Sequence, residues 1–300
     1  ASAAGGSSGA GAAPSATPSA PEPPQTALLP VMSPAVYKDN INFEGLQKKL
    51  LEFNEAMGDD HKLTPVEVGH LTDAVAKLKV GVTSEFKGAE KEVVFVKMKE
   101  WPTDKMFPVV DLWRAFLVHP VSSDYFKGSD RGTAFITQVL GFLSTEPNGA
   151  LGQCAAQYLA NLFIFQTNRY AAFDKRDLLL KGVEMALAST RKQVKTAGAS
   201  VLLNIAIVLH ESSEGLKKWD LACAEKVSGI ALAFLAQAQP ADIDAVQRVV
   251  CAIGTLLPRD FKHGRPIATR CVDAGFLDKL RGWEDKVGAN LVADIRKFFP

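Results

Sequence analysis

Four polar residues recur at a nearly constant interval inside four otherwise apolar helical segments of this chain. They are Arg114 in DLWRAFLVHP, Asn161 in YLANLFIF, Asn204 in VLLNIAIVLH and Arg248 in AVQRVVCAIGTLL. The successive separations are 47, 43 and 44 residues. An interval of this length is typical of a repeat built from two or three helices, so the sequence predicts a stack of such repeats.

This interval predicts an all-α, armadillo- or HEAT-like helical solenoid, in which stacked repeats leave one concave face for a partner. Helical spacing of apolar residues begins near Phe43, and no segment alternates apolar and polar residues as a strand would. Thr64-Pro65-Val66-Glu67 indicates a helix start, because Thr is a favoured N-cap, Pro fits the first turn and Glu can complete a capping box.

Beyond residue 100 the spacing predicts helices at 132–143, 149–168, 173–188, 191–210, 217–237, 241–257, 261–273, 276–283 and 287–299. Turn signals predict breaks at Pro147-Asn148-Gly149, at 211–215, at Gln239-Pro240 and at Pro258-Arg259-Asp260. The segments 149–168, 191–210 and 241–257 are apolar on most sides, so we expect them to be the inner helices.

The first 30 residues differ in composition from the rest, since 26 of them are Ala, Ser, Pro, Gly or Thr and Glu22 is their single charge. Such a segment buries too little apolar surface to offset its ordering entropy. We therefore predict a disordered linker at 1–36. The domain itself is expected at 37–300, with a helical extension at 37–100 and a repeat core at 101–300.

Charge and cysteine usage exclude several classes. With 34 basic and 33 acidic residues, the net charge of +1 gives no support for binding nucleic acid or a membrane surface. Apolar stretches are interrupted before about 18 residues, so no membrane-spanning helix is expected. The four cysteines form no C-x-x-C pair, which is typical of reduced cysteines in a cytoplasmic or nuclear protein.

The sequence contains no recognisable catalytic pattern. The five histidines lack metal-ligand spacing, and no G-x-S-x-G motif occurs. We expect no enzyme activity, metal or cofactor.

The recurring Asn and Arg side chains suit an extended acidic peptide instead, because amides can bind its backbone and guanidinium groups can bind its carboxylates. For each Asn alone, a core amide satisfied by a neighbouring carbonyl is an equally open alternative. From a repeat advance of about 10 Å, the guanidinium groups of Arg114 and Arg248 should lie about 30 Å apart along the axis, or closer where the side chains lean inward.

Several segments resemble, in the same order, the PUL domain of the phospholipase A2-activating protein (PLAA) family. They are FPVVDLWRAFLVHP, NLF, NIAIVLHES and RVVCAIGTLL with CVDAGFLDKL, and PAVYKDNINFEGLQKKLLEFN resembles the stretch leading into that domain. The resemblance covers about residues 34–300. It implies an armadillo-like domain that binds the acidic C-terminal tail of a hexameric AAA unfoldase, valosin-containing protein, in a basic groove.

The resemblance also implies which residues bind the tail, since five match family positions: Arg114, Asn161, Asn204, His210 and Arg248. Gln157 stands where the family has an Arg, so an amide would replace one charge contact. Family members carry a propeller and a ubiquitin-binding module as well, and ubiquitin would be bound by those parts.

Two functions are therefore open. The chain is an adaptor for ubiquitin-dependent protein processing in cytoplasm and nucleus, or it is a structural scaffold whose groove is unused. A receptor for basic peptides fits poorly, because two of the four recurring polar residues are Arg.

Overall fold

A computed structural model of the chain describes residues 22–39, 41–81, 85–126, 131–211 and 219–300. Helices are the only extended regular elements within these ranges, which contain no strand. The all-α fold expected from the sequence is confirmed.

Three helices precede the repeats: α1 (Phe43–Glu55), α2 (Pro65–Val80) and α3 (Gly88–Glu92). The predicted start of α2 is confirmed as a capping box. The Glu67 N–H donates to Thr64 Oγ1 at 3.4 Å, and the Thr64 N–H donates to Glu67 Oε2 at 2.9 Å. A π-helical turn (Val93–Lys97) and two 3₁₀ turns (Met98–Glu100, Thr103–Lys105) then lead into the repeats.

The remaining helices make up the body of the domain. They are α4 (Met106–Phe116), α5 (Val121–Phe126), α6 (Arg131–Thr145), α7 (Ala150–Asn161), α8 (Gln166–Asp174), α9 (Arg176–Leu187), α10 (Lys192–Glu211), α11 (Leu221–Gln237), α12 (Ile243–Lys262), α13 (Pro266–Asp273), α14 (Phe276–Arg281), α15 (Glu284–Val287) and α16 (Ala289–Arg296).

Two boundaries differ from the sequence prediction. The segment 149–168 is divided between α7 and α8, which are separated by residues 162–165. The break predicted at Pro258 is wrong, because α12 continues through it to Lys262. Pro258 is buried in the core, where packing on both sides of α12 outweighs the loss of one helical hydrogen bond. The predicted break at 211–215 falls largely outside the described residues.

The helices form two packed rows, as stacked repeats require. The inner row is α4, α7, α10 and α12, in which each helix packs on the next. The outer row is α6, α9, α11 and α13, and α6, α9 and α11 also pack on the inner helices α7, α10 and α12. We call the side of the inner row that faces away from the outer row the inner face.

One continuous apolar core runs through the stack, from Leu29 to Phe299. By length and composition α10 is the one described helix that could span a membrane, but 78% of its most apolar window is buried inside the fold. It packs between α7, α9 and α12, which is the position of a core helix.

Candidate functional site: a strap on the inner face

An extended segment of the chain itself lies across the inner face. Residues 27–37, with the sequence ALLPVMSPAVY, contact α16, α12, α10, α7 and α4 in turn, and we call this segment the strap. It runs against the order of the repeats, so that its first residues lie at the last helix. The prediction of a disordered linker is therefore wrong for residues 27–36, whereas 1–21 lie outside the described residues.

Asn161, the last residue of α7, holds the carboxyl end of the strap. The Tyr37 N–H donates to Asn161 Oδ1 at 2.7 Å, and Asn161 Nδ2 donates to the Tyr37 carbonyl at 3.1 Å. The second Nδ2 proton reaches the Arg114 carbonyl of α4 at 3.2 Å. Both alternatives drawn from the sequence are realised together, because one amide binds an extended backbone and a neighbouring carbonyl.

Asn204, in the middle of α10, repeats this arrangement one helix further along. The Ala35 N–H donates to Asn204 Oδ1 at 2.7 Å, and Asn204 Nδ2 donates to the Ala35 carbonyl at 3.0 Å and the Ala160 carbonyl at 3.2 Å. Ala35 and Tyr37 lie on the same side of an extended chain because side-chain direction alternates. Two equivalent amides therefore bind alternate residues of the strap through their main-chain N–H and carbonyl groups.

Two further residues extend the set of contacts toward the start of the strap. Thr255 of α12 accepts the Val31 N–H on Oγ1 at 3.2 Å, and Asp294 of α16 accepts the N–H groups of Ala27 and Leu28 on Oδ2, each at 2.8 Å. Asn161, Asn204, Thr255 and Asp294 are all buried. We call these four residues the ladder.

Sequence reasoning missed Thr255 and Asp294. The available signal for Thr255 was a lone hydroxyl in the apolar run VVCAIGTLL, 51 residues after Asn204. Desolvation raises the pKa of Asp294, but the hydrogen bonds from Lys297 and from the strap N–H groups together lower it. Asp294 is thus held as a carboxylate by Lys297 together with the strap N–H groups.

A glycine leaves room for the one fully buried side chain of the strap. Leu29 is 6% exposed and lies against Gly254 of α12. A methyl group added at Gly254 would stand 2.8 Å from Leu29 Cδ2 and 3.4 Å from Ile295 Cγ1. A contact of 2.8 Å between carbon atoms is far inside the usual 3.5–4.0 Å, so any larger residue here would move the leucine.

Arg114, in the last turn of α4, binds the strap rather than facing solvent. Its Nε donates to Asp111 Oδ1 at 2.7 Å and its Nη1 donates to the Tyr37 carbonyl at 2.8 Å. The residue is 7% exposed. Its guanidinium group is therefore already engaged by a carboxylate and a carbonyl.

Arg248 lies on α12 seven residues before Thr255 and is not the rung that holds the strap backbone. Its Nη1 contacts the Asp244 carbonyl at 3.4 Å, at an exposed position. Burial raises the pKa of Tyr37, the hydrogen bond with Ser200 Oγ (3.2 Å) and the Arg248 charge lower it, and Asp244 raises it. Arg248 is thus close to the Tyr37 phenol, and Arg114 binds the carbonyl of the same residue.

The family profile described as "PUL domain" matches residues 29–287. This chain belongs to the PUL domain family. The match includes residues 29–37 of the strap, which makes the strap part of the domain rather than a linker to it.

Two curated relatives are similar to the chain. A phospholipase A-2-activating protein of Xenopus laevis is 26% identical over 238 residues, which cover 79% of this chain and 28% of the relative. A ubiquitin fusion degradation protein 3 homolog of Caenorhabditis elegans is 25% identical over 169 residues, covering 55% of this chain and 19% of the relative. The PUL chain thus spans less than a third of the length of either.

Two arginines beside the strap make no ion pair among the described residues of this PUL domain: Arg191 and Arg248. The neighbouring lysines are paired, Lys192 with Asp244 at 2.9 Å and Lys195 with Asp242 at 2.9 Å. The charges of Asp111, Arg114 and Arg191 all act on the pKa of Cys154, which burial raises strongly. Arg191 therefore lies near the Arg114–Asp111 pair, and Arg248 lies near the Tyr37 phenol.

The other two predicted peptide-binding residues of the PUL domain lie apart from the strap contacts. Gln157 is half-buried on α7, one turn before Asn161, and its side chain makes no hydrogen bond within the described part of the chain. His210 lies near the end of α10. Desolvation and the Arg259 charge lower the pKa of His210, while a hydrogen bond with the Thr255 carbonyl raises it. That contact ties His210 to Thr255, the ladder residue whose hydroxyl accepts the Val31 N–H.

Proposed function

We propose that this PUL domain is a non-catalytic adaptor module of ubiquitin-dependent protein processing in the cytoplasm and nucleus. Its partner in this proposal is the acidic C-terminal tail of a hexameric AAA unfoldase, valosin-containing protein. The pathway is supported by the relative named as a ubiquitin fusion degradation protein homolog. The unfoldase tail is supported by the motifs that the chain shares with the family.

The observation that carries the proposal is that two arginines near the carboxyl end of the strap form no ion pair among the described residues. The Arg248 charge acts on the pKa of Tyr37, Arg191 lies near the Arg114–Asp111 pair, and the strap sequence itself contains no charged residue. The strap therefore occupies the amides and supplies no carboxylate to either arginine. An acidic segment lying along this edge would supply the missing carboxylates.

The expected affinity is modest. A hydrogen bond to a charged group contributes about 1.5–3 kcal/mol, and the tail loses chain entropy when it binds. Two such contacts and a few neutral ones suggest a dissociation constant of micromolar order, which corresponds to about 8 kcal/mol. Gln157 lies one turn from Asn161 and offers an amide to the same tail.

Fluorescence anisotropy with a labelled acidic peptide that ends in tyrosine tests the proposal. Arg248→Glu and Arg191→Glu should each weaken binding at least about tenfold, which is about 1.4 kcal/mol. Arg281→Glu is the matched control, because Arg281 is a largely exposed arginine on α14 with a side chain 74% exposed. A pull-down of the intact hexamer with and without its tail then tests the partner.

The filled ladder favours one alternative, a scaffold whose inner face takes no external segment. Under that alternative the peptide does not bind, or binds equally to the parent protein and both charge reversals. Equal binding to Arg248→Glu, Arg191→Glu and Arg281→Glu would contradict the adaptor proposal and support the scaffold.

A further inference from the structure

The chemistry of the ladder matches the main chain of the strap and little else. The ladder accepts the N–H groups of residues 27, 28, 31, 35 and 37 and donates to the carbonyls of residues 35 and 37. Main-chain contacts of this kind require an extended chain but do not select side chains. Side-chain selection comes from Leu29 against Gly254 and from the Tyr37 hydroxyl against Ser200.

The charges along the ladder give an acidic occupant no advantage. Asp294 is paired with Lys297 at one end, and Asp111 is paired with Arg114 at the other. An acidic segment laid over the four ladder residues would have to share cations that already have a carboxylate partner. The uncharged strap needs no cation. The cations without partners, Arg191 and Arg248, lie beside the path of the strap rather than under it.

The connection of the strap to the body gives it a further advantage over a separate peptide. Only residues 38–42 join the strap to α1, which begins at Phe43. A short tether of this kind raises the effective concentration of a binding segment to the millimolar range. A separate peptide of micromolar affinity would have to overcome both this concentration and the fit of Leu29.

We infer that the ladder binds the main chain of the chain's own strap and stays occupied by it. An external acidic segment then binds beside the strap without displacing it. The second half of this inference rests on the proposed function. Arg114 then acts as a positioning residue for the strap, and Arg248 and Arg191 are the residues that contact the partner. The strap thus binds the amides of the inner face, and the partner binds the arginines of the same face that form no ion pair among the described residues.

Hydrogen exchange of the full chain, read by mass spectrometry on peptides covering the strap, tests the first half. Asn204→Leu should raise the exchange rate of the strap at least tenfold and leave α8 unchanged. The matched control is Asn168→Leu, which removes another buried amide, one that donates to Ser122 Oγ on α5 at 3.0 Å. That control should loosen α5 and α8 but not the strap. Equal strap protection in Asn204→Leu and the parent protein would overturn the inference.

A pair of glycine substitutions checks the same point without removing a polar group. Gly254→Ala places a methyl group against Leu29, whereas Gly141→Ala on α6 has no neighbouring atom within 4 Å. Strap exchange should rise in Gly254→Ala and stay at the parent rate in Gly141→Ala. Identical strap exchange in both variants would contradict a leucine site built into α12.

Titration of the parent protein with the acidic tyrosine-ending peptide tests the second half. The strap should keep its slow exchange when the peptide is saturating. Release of the strap in proportion to bound peptide would make the peptide a competitor for the ladder and overturn the inference. If no acidic peptide binds, the proposed function fails, while the Asn204→Leu and Gly254→Ala results still decide whether the ladder belongs to the strap.

Discussion

Asn161 and Asn204 lie 43 residues apart in the sequence and bind the main chain of the strap at residues two apart, each with one accepted and one donated hydrogen bond. Equivalent positions on two neighbouring inner helices therefore bind two residues of one extended segment. The partner in the structure is Ala35 for one amide and Tyr37 for the other, both from the same chain.

The two amides should be energetically coupled, because both hold one short segment. Asn161→Leu and Asn204→Leu should each lower the free energy of unfolding by about 1–3 kcal/mol through the lost hydrogen bonds. The double variant should lose less than the sum of the two, by about 0.5 kcal/mol or more, since the first change already loosens the strap. Urea unfolding of the four proteins measures this cycle, and strict additivity would indicate that each Asn matters only through its neighbouring helix.

Charge reversal should lower the free energy of unfolding much more at Arg114 than at Arg248. Arg114 is buried between Asp111 and the Tyr37 carbonyl, so Arg114→Glu places a carboxylate against a carboxylate and a carbonyl. Breaking a buried pair in this way costs about 3–5 kcal/mol. Arg248→Glu, at a half-buried position where no buried ion pair is broken, should change the free energy of unfolding by about 1 kcal/mol or less. Thermal unfolding followed by circular dichroism compares them, and equal melting temperatures would show that Arg114 is not structural.

Added salt should weaken binding of the acidic peptide and leave the hydrogen-exchange rate of the strap nearly unchanged. If the half-buried Arg191 and Arg248 bind carboxylates, the affinity for the acidic peptide should fall several-fold as salt rises, because the Debye length shrinks from about 10 Å at 0.1 M toward about 3 Å at 1 M. Anisotropy titrations at several salt concentrations measure this, and Arg248→Glu should show a weaker dependence. Strap exchange followed over the same range should stay nearly constant, because most of its contacts are neutral hydrogen bonds.

Acidification should destabilise the domain through His210. Desolvation and the Arg259 charge lower its pKa below the ordinary value of 6.5, so the unfolded chain binds the proton more readily than the folded one. The stabilising effect is complete above pH 6.5 and is lost as the pH falls through the lowered folded-state pKa. Urea unfolding from pH 8 to 5 should show this decline, which His210→Gln should reduce. His61→Gln, at an exposed turn residue, serves as the control and should leave the pH profile unchanged.

Much of the architecture was predictable because repeat length and apolar spacing are properties of the sequence itself. The 43-residue interval between Asn161 and Asn204 correctly indicated equivalent positions on neighbouring inner helices. The role of Arg248 in binding a partner stays a prediction, and the interval does not reveal that Thr255 is the residue of α12 that binds the strap backbone. The role of Asp294 depends on residues 27 and 28, more than 260 positions earlier, and no local pattern reports such a contact.

The linker prediction was wrong for residues 27–36 for a related reason. The first 30 residues were judged by their own capacity to bury apolar surface, and by that measure they remain unfolded. The ladder changes the balance by satisfying the backbone of residues 27–37, and Gly254 accommodates Leu29. Order in this segment is supplied by side chains distant in the sequence.

The strap also alters how a repeat protein of this kind should unfold. In an ordinary solenoid each repeat contacts only its neighbours, so terminal repeats fray independently and stability is nearly a sum of local terms. Here one segment touches the first inner helix at Arg114 and the last helix at Asp294. Opening a repeat at either end therefore removes contacts that also hold the other, and the strap can dock only after the repeats between them have formed. The consequence is a single cooperative transition with a high contact order, in place of the gradual melting expected of a linear stack of repeats.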